Sequence, residues 1–364
     1  MKYKVQVSFF QILTLLALLS LIILIPACGK STAKPDTYNF YESVMDTSKP
    51  IAYGDDRDIY VFCDEASWKL AQDMLKRSLE REVFVVVNEH YFNLIRADIK
   101  EIDQLMKYKN LLFLGDLESK TAVSNHVKGS MPKRLVERVQ NSGGEMFIAK
   151  NRWVKDQVVV YMVGSTQENL LKLNILQTNR LFTLFLNRLG ERRAYQAYLT
   201  KTIPEDFFQP FPFTIKLPEN YRVYADDRKN RFLSFLYRIS SQSPDSPDKY
   251  VSVYYETMQT DSLNLDWLLS KRKELAANYY DKDEFDPKLL RSEKVTFNNY
   301  SGWRLIGPWK NMKHSIGGGF QTFAFYDAKQ KKAFLIDNVV YFPAGDKLPE
   351  LLELQKLSLT FTAK

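Results

Sequence analysis

Residues 21–28, LIILIPAC, constrain this chain more than any other stretch, because they decide where the residues after them work. Lys2 and Lys4 give a positive start, residues 9–26 are almost free of polar side chains, and Ile25-Pro26-Ala27-Cys28 has the pattern of a lipobox. This is the three-part layout of a signal peptide, here 1–27. The competing reading is an uncleaved anchor, since the apolar stretch approaches the roughly 20 residues that span a bilayer. Lipoprotein processing needs a thiol at the new N-terminus, and Cys28 is the only cysteine placed to supply it. Each buried methylene contributes about 0.8 kcal/mol, so two or three acyl chains such as palmitate hold a protein where one holds it reversibly. Acylated Cys28 makes a membrane the first expected partner. The expected place is the cell envelope, on the outer membrane facing the periplasm, because no acidic residue directly follows Cys28.

Residues 28–53 mix Lys, Ser, Thr, Pro and Asp without helical or strand period, and read as a flexible tether. The only other cysteine, Cys63, stands in an apolar run and has no partner once Cys28 is acylated. The fold therefore does not rest on disulfides, and Cys63 reads as a small buried hydrophobe. About 335 residues remain after the signal peptide, enough for two domains. A 45% hydrophobic and 14% aromatic composition is that of a globular protein. The net charge of +8 falls to +6 without Lys2 and Lys4, and its basic residues are interleaved with acids, so no nucleic-acid partner is expected.

Two textures divide the rest. Residues 54–200 alternate β-prone runs with helical stripes, beginning at 59–63 and continuing with a helix from Asp64, whose Trp68, Ala71, Leu75 and Leu79 share one face. Leucines from Leu170 to Leu189 mark a much longer helix, residues 147–149 and 157–163 a hairpin, and 121–132 a loop. This predicts a mixed α/β domain with a mixed sheet. Residues 201–364 open on a Pro- and Phe-rich elbow and continue as alternating strands with helices near 266–280 and 348–357. They predict an α+β domain whose mainly antiparallel sheet carries helices on one face.

The residues of chemistry are sparse. His90, His126 and His314 are far apart with no cysteine companion, so no metal site is expected. There is no G-x-S-x-G elbow and no Walker loop, and nothing calls for a cofactor. Asp55, Asp56 and Asp58 read as a solvated edge, and the carboxylates of 281–286 as a charged loop.

The densest signal is residues 299–320, NYSGWRLIGPWKNMKHSIGGGF. Gly317, Gly318 and Gly319 permit positive φ and could let backbone N–H groups approach an anion. Trp303 and Trp309 could wall a ligand, with Arg304, His314 and Phe320 beside them. The alternative is a long β-hairpin whose glycines make the turn and whose aromatics pack on the sheet.

The lipobox, the run at 59–62 before the Trp68 helix, Gly302-Trp303 with Trp309, the glycine run before Phe320 and the segment VVYFPA at 339–344 together resemble the domain of unknown function 4837 lipoproteins of the Bacteroidota. In that family pattern a proline falls within the glycine run, where this chain has Gly319. The resemblance implies an envelope lipoprotein without assigned activity and carries no catalytic residue across. Two function classes follow: a lipid-anchored binding or scaffold module for an envelope protein, glycan or lipid, and an envelope hydrolase with an unrecognised site. The first is preferred, because no nucleophile with its base and no acid/base pair assembles from the sequence.

Overall fold

Asn110–Asp116 and Val158–Gly164 are buried at every position, as strands must be when helices cover both faces of a parallel sheet. The computed structural model describes residues 48–239 and 245–364, so Cys28, the expected signal peptide at 1–27 and most of the expected tether lie outside the described residues. In chain order the first half runs β1 (Asp58–Phe62), α1 (Glu65–Leu79), β2 (Glu82–Phe84), β3 (Asn88–His90), β4 (Asn93–Ala97), α2 (Ile102–Leu105), β5 (Asn110–Asp116), α3 (Ala122–Gly129), α4 (Lys133–Ser142), β6 (Gly144–Lys150), β7 (Val158–Gly164) and α5 (Gln167–Ala197).

Its five-stranded sheet has the order β4-β1-β5-β7-β6 and is parallel except for β6, which forms a hairpin with β7. The helices sort by face. Val123, Val127 and Val139 of α3 and α4 meet Phe113, Val159 and Tyr161 on one side. Ala71, Leu75, Leu181 and Phe185 of α1 and α5 meet Val61, Leu112 and Val160 on the other.

Capping fixes where the helices begin. Asp64 accepts from Ser67 N at 2.8 Å to start α1, and Thr166 accepts from Asn169 N at 3.2 Å to start α5. Residues 121–132, expected as a loop, instead contain α3, capped by Thr121 on Ser124 N at 3.3 Å. Its buried stripe, Val123 and Val127 with Ser124, is too short to register as a period among polar neighbours. The ordered chain also reaches back into the expected tether: Ile51 bridges Lys155, Tyr53 bridges Tyr108, and Ala52 between them is buried.

The second half contributes β8 (Phe213–Thr214), β9 (Tyr221–Asp227), β10 (Phe232–Tyr237), β11 (Asp248–Thr257), α6 (Leu265–Tyr279), β12 (Arg291–Phe297), β13 (Tyr300–Asn311), β14 (Ile316–Asp327), β15 (Lys332–Tyr341), α7 (Leu348–Ser358) and β16 (Thr362–Ala363). Seven of these strands form an antiparallel sheet in the order β12-β13-β14-β15-β11-β10-β9. Alternation along its strands feeds two cores. Phe232, Leu305 and Leu335 meet Leu268 and Leu275 of α6 on one face, while Phe235, Ile336 and Val340 meet Leu351 and Leu354 of α7 on the other. Both faces are thus covered, one more than the strand pattern alone suggested.

Helix α7 also packs on α5, so the layers run α2–α4, mixed sheet, α1 with α5 and α7, antiparallel sheet, α6. The Phe-rich elbow is interior: Phe208, Phe211 and Phe213 are all buried, and β16 pairs with β8 beside them. Buried Glu89 on β3 accepts from Lys347 N at 2.9 Å and from Leu348 N at 2.8 Å at the start of α7, and Arg57 pairs with Asp346 at 2.7 Å. No helix among the described residues is long and apolar enough to cross a membrane.

Candidate functional site

Strand β13 and strand β14 do form the long hairpin that the sequence allowed, but its glycines do not make the turn. The turn is 312–315, with Ser315 at φ 53°, and Gly317, Gly318 and Gly319 lie within β14 opposite Lys310, Trp309 and Pro308. A side chain at Gly318 would run into the Val340 carbonyl and the Trp309 indole, and one at Gly319 into Val85. The glycines therefore serve close approach. Across Gly318 the Trp309 indole donates Nε1–H to Val340 O at 3.2 Å.

The eight residues singled out in the sequence scatter. Trp309 and Phe320, 6% and 0% exposed, belong to the core beneath α6. Half-buried Trp303 carries the Lys294 ammonium 5.5 Å from a ring centroid, and Arg304 pairs with Glu293 at 2.8 Å. His314, at the hairpin tip, pairs with Asp281, whose carboxylate Lys313 also reaches at 3.2 Å. The tip thus meets the carboxylate loop at 281–286, two features that lie about thirty residues apart and share no pattern that would join them. Two buried ion clusters hold helix to sheet: Arg272 with Asp337 at 2.9 Å under α6, and Lys249 with Glu353 and Glu350 at 2.6 and 3.1 Å under α7.

A crevice of about 490 Å³ opens at the carboxyl edge of the parallel strands. Its position follows from topology. The chain leaves β1 through α1 to reach β4 on one side, then crosses back through α2 to β5 on the other. Helices following β1 and β5 lie on opposite faces of the sheet, which leaves a gap between their first turns, the place where open α/β sheets admit ligands.

Three caps line that gap. Asp64 caps α1; Asp98 accepts from Lys100 N at 3.0 Å, while Glu101 accepts from Asp98 N at 3.0 Å; Thr121 caps α3. Glu65, at the same mouth, pairs with Arg96. Carboxylates of Asp64, Glu65, Asp98 and Glu101 face a single guanidinium, so the crevice is rich in fixed hydrogen-bond acceptors. Cys63 lies in the wall, where burial pushes its thiol up to about 12 against the pull of Arg96. At neutral pH it is a protonated thiol and a weak nucleophile.

Sequence reasoning passed over this crevice because its walls come from 63–65, 96–101 and 121–123. The usable signal is the recurrence of a capping residue within two positions of a strand's end, at Asp64 and Asp98; Thr121 carries no such signal, because the stripe of α3 behind it is too short to stand out.

Residues 52–196 match the family model described as Domain of unknown function (DUF8532), and residues 200–360 match that described as Domain of unknown function (DUF4837). No curated protein matches. Among solved structures, LpqN, involved in cell envelope biogenesis of Mycobacterium tuberculosis, is 13% identical over 41% of this chain and 82% of its own, with a TM-score of 0.27. Cyanobacterial PsbP (CyanoP) from Synechocystis sp. PCC 6803 is 12% identical over 43% of this chain and 89% of its own, with a TM-score of 0.28. A crystal structure from Bacteroides thetaiotaomicron VPI-5482 is 9% identical over 45% of this chain, with a TM-score of 0.27; this chain spans 48% of its length.

Proposed function

We propose that this chain, whose residues 200–360 belong to the domain of unknown function 4837 family, is a binding module of the cell envelope that takes a hydroxyl-rich ligand such as a glycan. It is held at a membrane through acylated Cys28 and presented to the periplasm. The observation that carries the reading is the crevice at the carboxyl edge of the mixed sheet, whose volume falls in the range of ligand sites. Its carboxylates accept hydrogen bonds from hydroxyls, Arg96 donates, and Ile99 and Val123 offer carbon surface to a ring face. Caps that already hold Asp64, Asp98 and Glu101 in place reduce the entropy lost on binding.

The test is an array of envelope and cell-surface glycans, followed by hydrogen exchange with the best binder. Bound glycan should protect amides in 63–67, 97–101 and 121–124. Asp64→Asn/Asp98→Asn keeps both caps, because Asn caps as well as Asp, yet replaces charged acceptors whose bonds are about twice as strong as neutral ones. Binding should fall about tenfold or more in that variant. An array without a binder, or protection elsewhere on the chain, overturns the reading. For the anchor, Cys28→Ser should abolish radiolabelled palmitate incorporation, and persistent labelling refutes it.

A further inference from the structure

Between α6 and residues 282–287 lies another cavity, of about 660 Å³. Leu269 and Ala277 on the helix and Phe285 and Pro287 on the loop give it carbon walls. Lys273 and Lys282 line it as well, both solvent-exposed, and neither ammonium has an ion-pair partner among the described residues.

The loop wall is held from several sides. Asp281 and Lys282 take left-handed φ of 49° and 65°. Glu284 exchanges two backbone hydrogen bonds with Lys310, at 2.8 and 2.9 Å. Asn311 Nδ2 donates to Asp281 O at 3.0 Å and to Asp283 Oδ1 at 2.8 Å, and the Phe285 ring lies 5.6 Å from that of Phe320. The cavity is therefore preformed rather than left by a loose side chain.

Two ammonium groups and two carboxylates line the cavity, and among the described residues neither ammonium is paired. Lys273 faces it from α6, with Lys282, Asp283 and Glu284 from the loop; Arg272 lies beyond Phe285 and is already matched by Asp337. Burial raises the Asp283 carboxyl to about 6, and its Oδ1 is already engaged by Asn311 Nδ2. Two unpaired ammonium groups beside a carbon-walled hollow suit a molecule with a matching division.

We propose that this cavity binds a free amphipathic anion, a single acyl chain lodged among Leu269, Ala277, Phe285 and Pro287 with its carboxylate on Lys273 and Lys282. Apolar walls supply affinity and the two lysines orient the head. The site is separate from the glycan crevice and does not depend on it.

The probe is dodecanoate, titrated calorimetrically into the full-length protein below its micelle concentration. Dodecanoate should bind saturably and dodecylammonium should not. Lys273→Glu/Lys282→Glu should weaken dodecanoate about tenfold or more, through loss of two ion pairs and the new repulsion. Ala277→Trp, on the exposed side of α6, should abolish binding by filling the hollow. Asp64→Asn/Asp98→Asn should leave dodecanoate binding unchanged even if it removes glycan binding, which separates the two readings. The proposal fails if wild type does not bind dodecanoate, if dodecylammonium binds equally, or if Ala277→Trp binds as before. It also fails if only phosphatidylglycerol vesicles, and not the free carboxylate, are bound. Near-UV circular dichroism checks each variant's fold; where one variant unfolds, the remaining variant and the head-group comparison on wild type decide.

Discussion

Replacing Glu89 tests how the first half of the chain organises the second. Helix α7 begins at Leu348 without a side-chain cap of its own, since Lys347 provides none. Both of its leading N–H donors go to a carboxylate 258 and 259 residues earlier in the chain. Glu89 is 3% exposed, so water does not replace the bonds once the side chain is removed. Loss of an N-cap costs about 0.5–2 kcal/mol, and hydrogen bonds to a charged group are worth about 1.5–3 kcal/mol. These describe overlapping losses, and deletion of the one buried methylene adds about 0.8 kcal/mol. Glu89→Ala should therefore destabilise by about 2–4 kcal/mol. Glu89→Gln keeps one acceptor and the methylenes, and should cost less than half as much.

Urea unfolding read by circular dichroism gives both values from the midpoint shift at constant slope. The pH profile supplies an independent check. Burial raises the Glu89 carboxyl against the pull of the two backbone donors. Its folded pKa lies above its unfolded one, so its titration adds stability below the ordinary glutamate range and removes it as pH rises through the folded value. Glu89→Gln should flatten that decline. A cost under about 1 kcal/mol for Glu89→Ala, or an unchanged pH slope in Glu89→Gln, would refute the reasoning.

Two further substitutions probe the second sheet. Gly318→Ala places a methyl against the Val340 carbonyl and the Trp309 indole; it should destabilise by about 1–3 kcal/mol or more, with a red shift of Trp fluorescence as the indole is displaced. Asp283→Asn still offers Asn311 an acceptor but no longer titrates. Because Asp283 is raised from 3.8 to about 6, wild-type melting temperature should carry a component that falls as pH rises from about 4 to about 6. That component should vanish in the variant, and an identical slope in both proteins would count against the assignment.

How much was legible depends on whether a residue's environment was local. The stripe Leu170, Leu173, Leu181, Phe185 and Leu189 announced α5 because one helix face supplies its own evidence. The apolar runs of β5 and β7 did the same for a sheet covered on both sides. Trp309 could not be placed that way. Its burial depends on Gly318 in the next strand and on a carbonyl of β15 beyond it, and the adjoining Gly319 is packed against Val85 from the first half of the chain. An aromatic and three glycines close together in sequence therefore resembled a ligand wall when they formed a packing device. The crevice was hidden for the opposite reason: each of its walls is an ordinary cap, and only the crossing of β1 between β4 and β5 brings them face to face.

The position of α7 has a consequence for biosynthesis. The surface of α5 that it covers is made about 150 residues before α7 itself, a delay on the order of ten seconds at ordinary elongation rates. Throughout that interval a leucine-rich flank stands ready for any wrong partner, including another nascent copy. Export of the chain while still unfolded, as the proposed leader at 1–27 implies, would remove this hazard, and a variant lacking 1–27 should depend on chaperones until residues 348–358 have emerged.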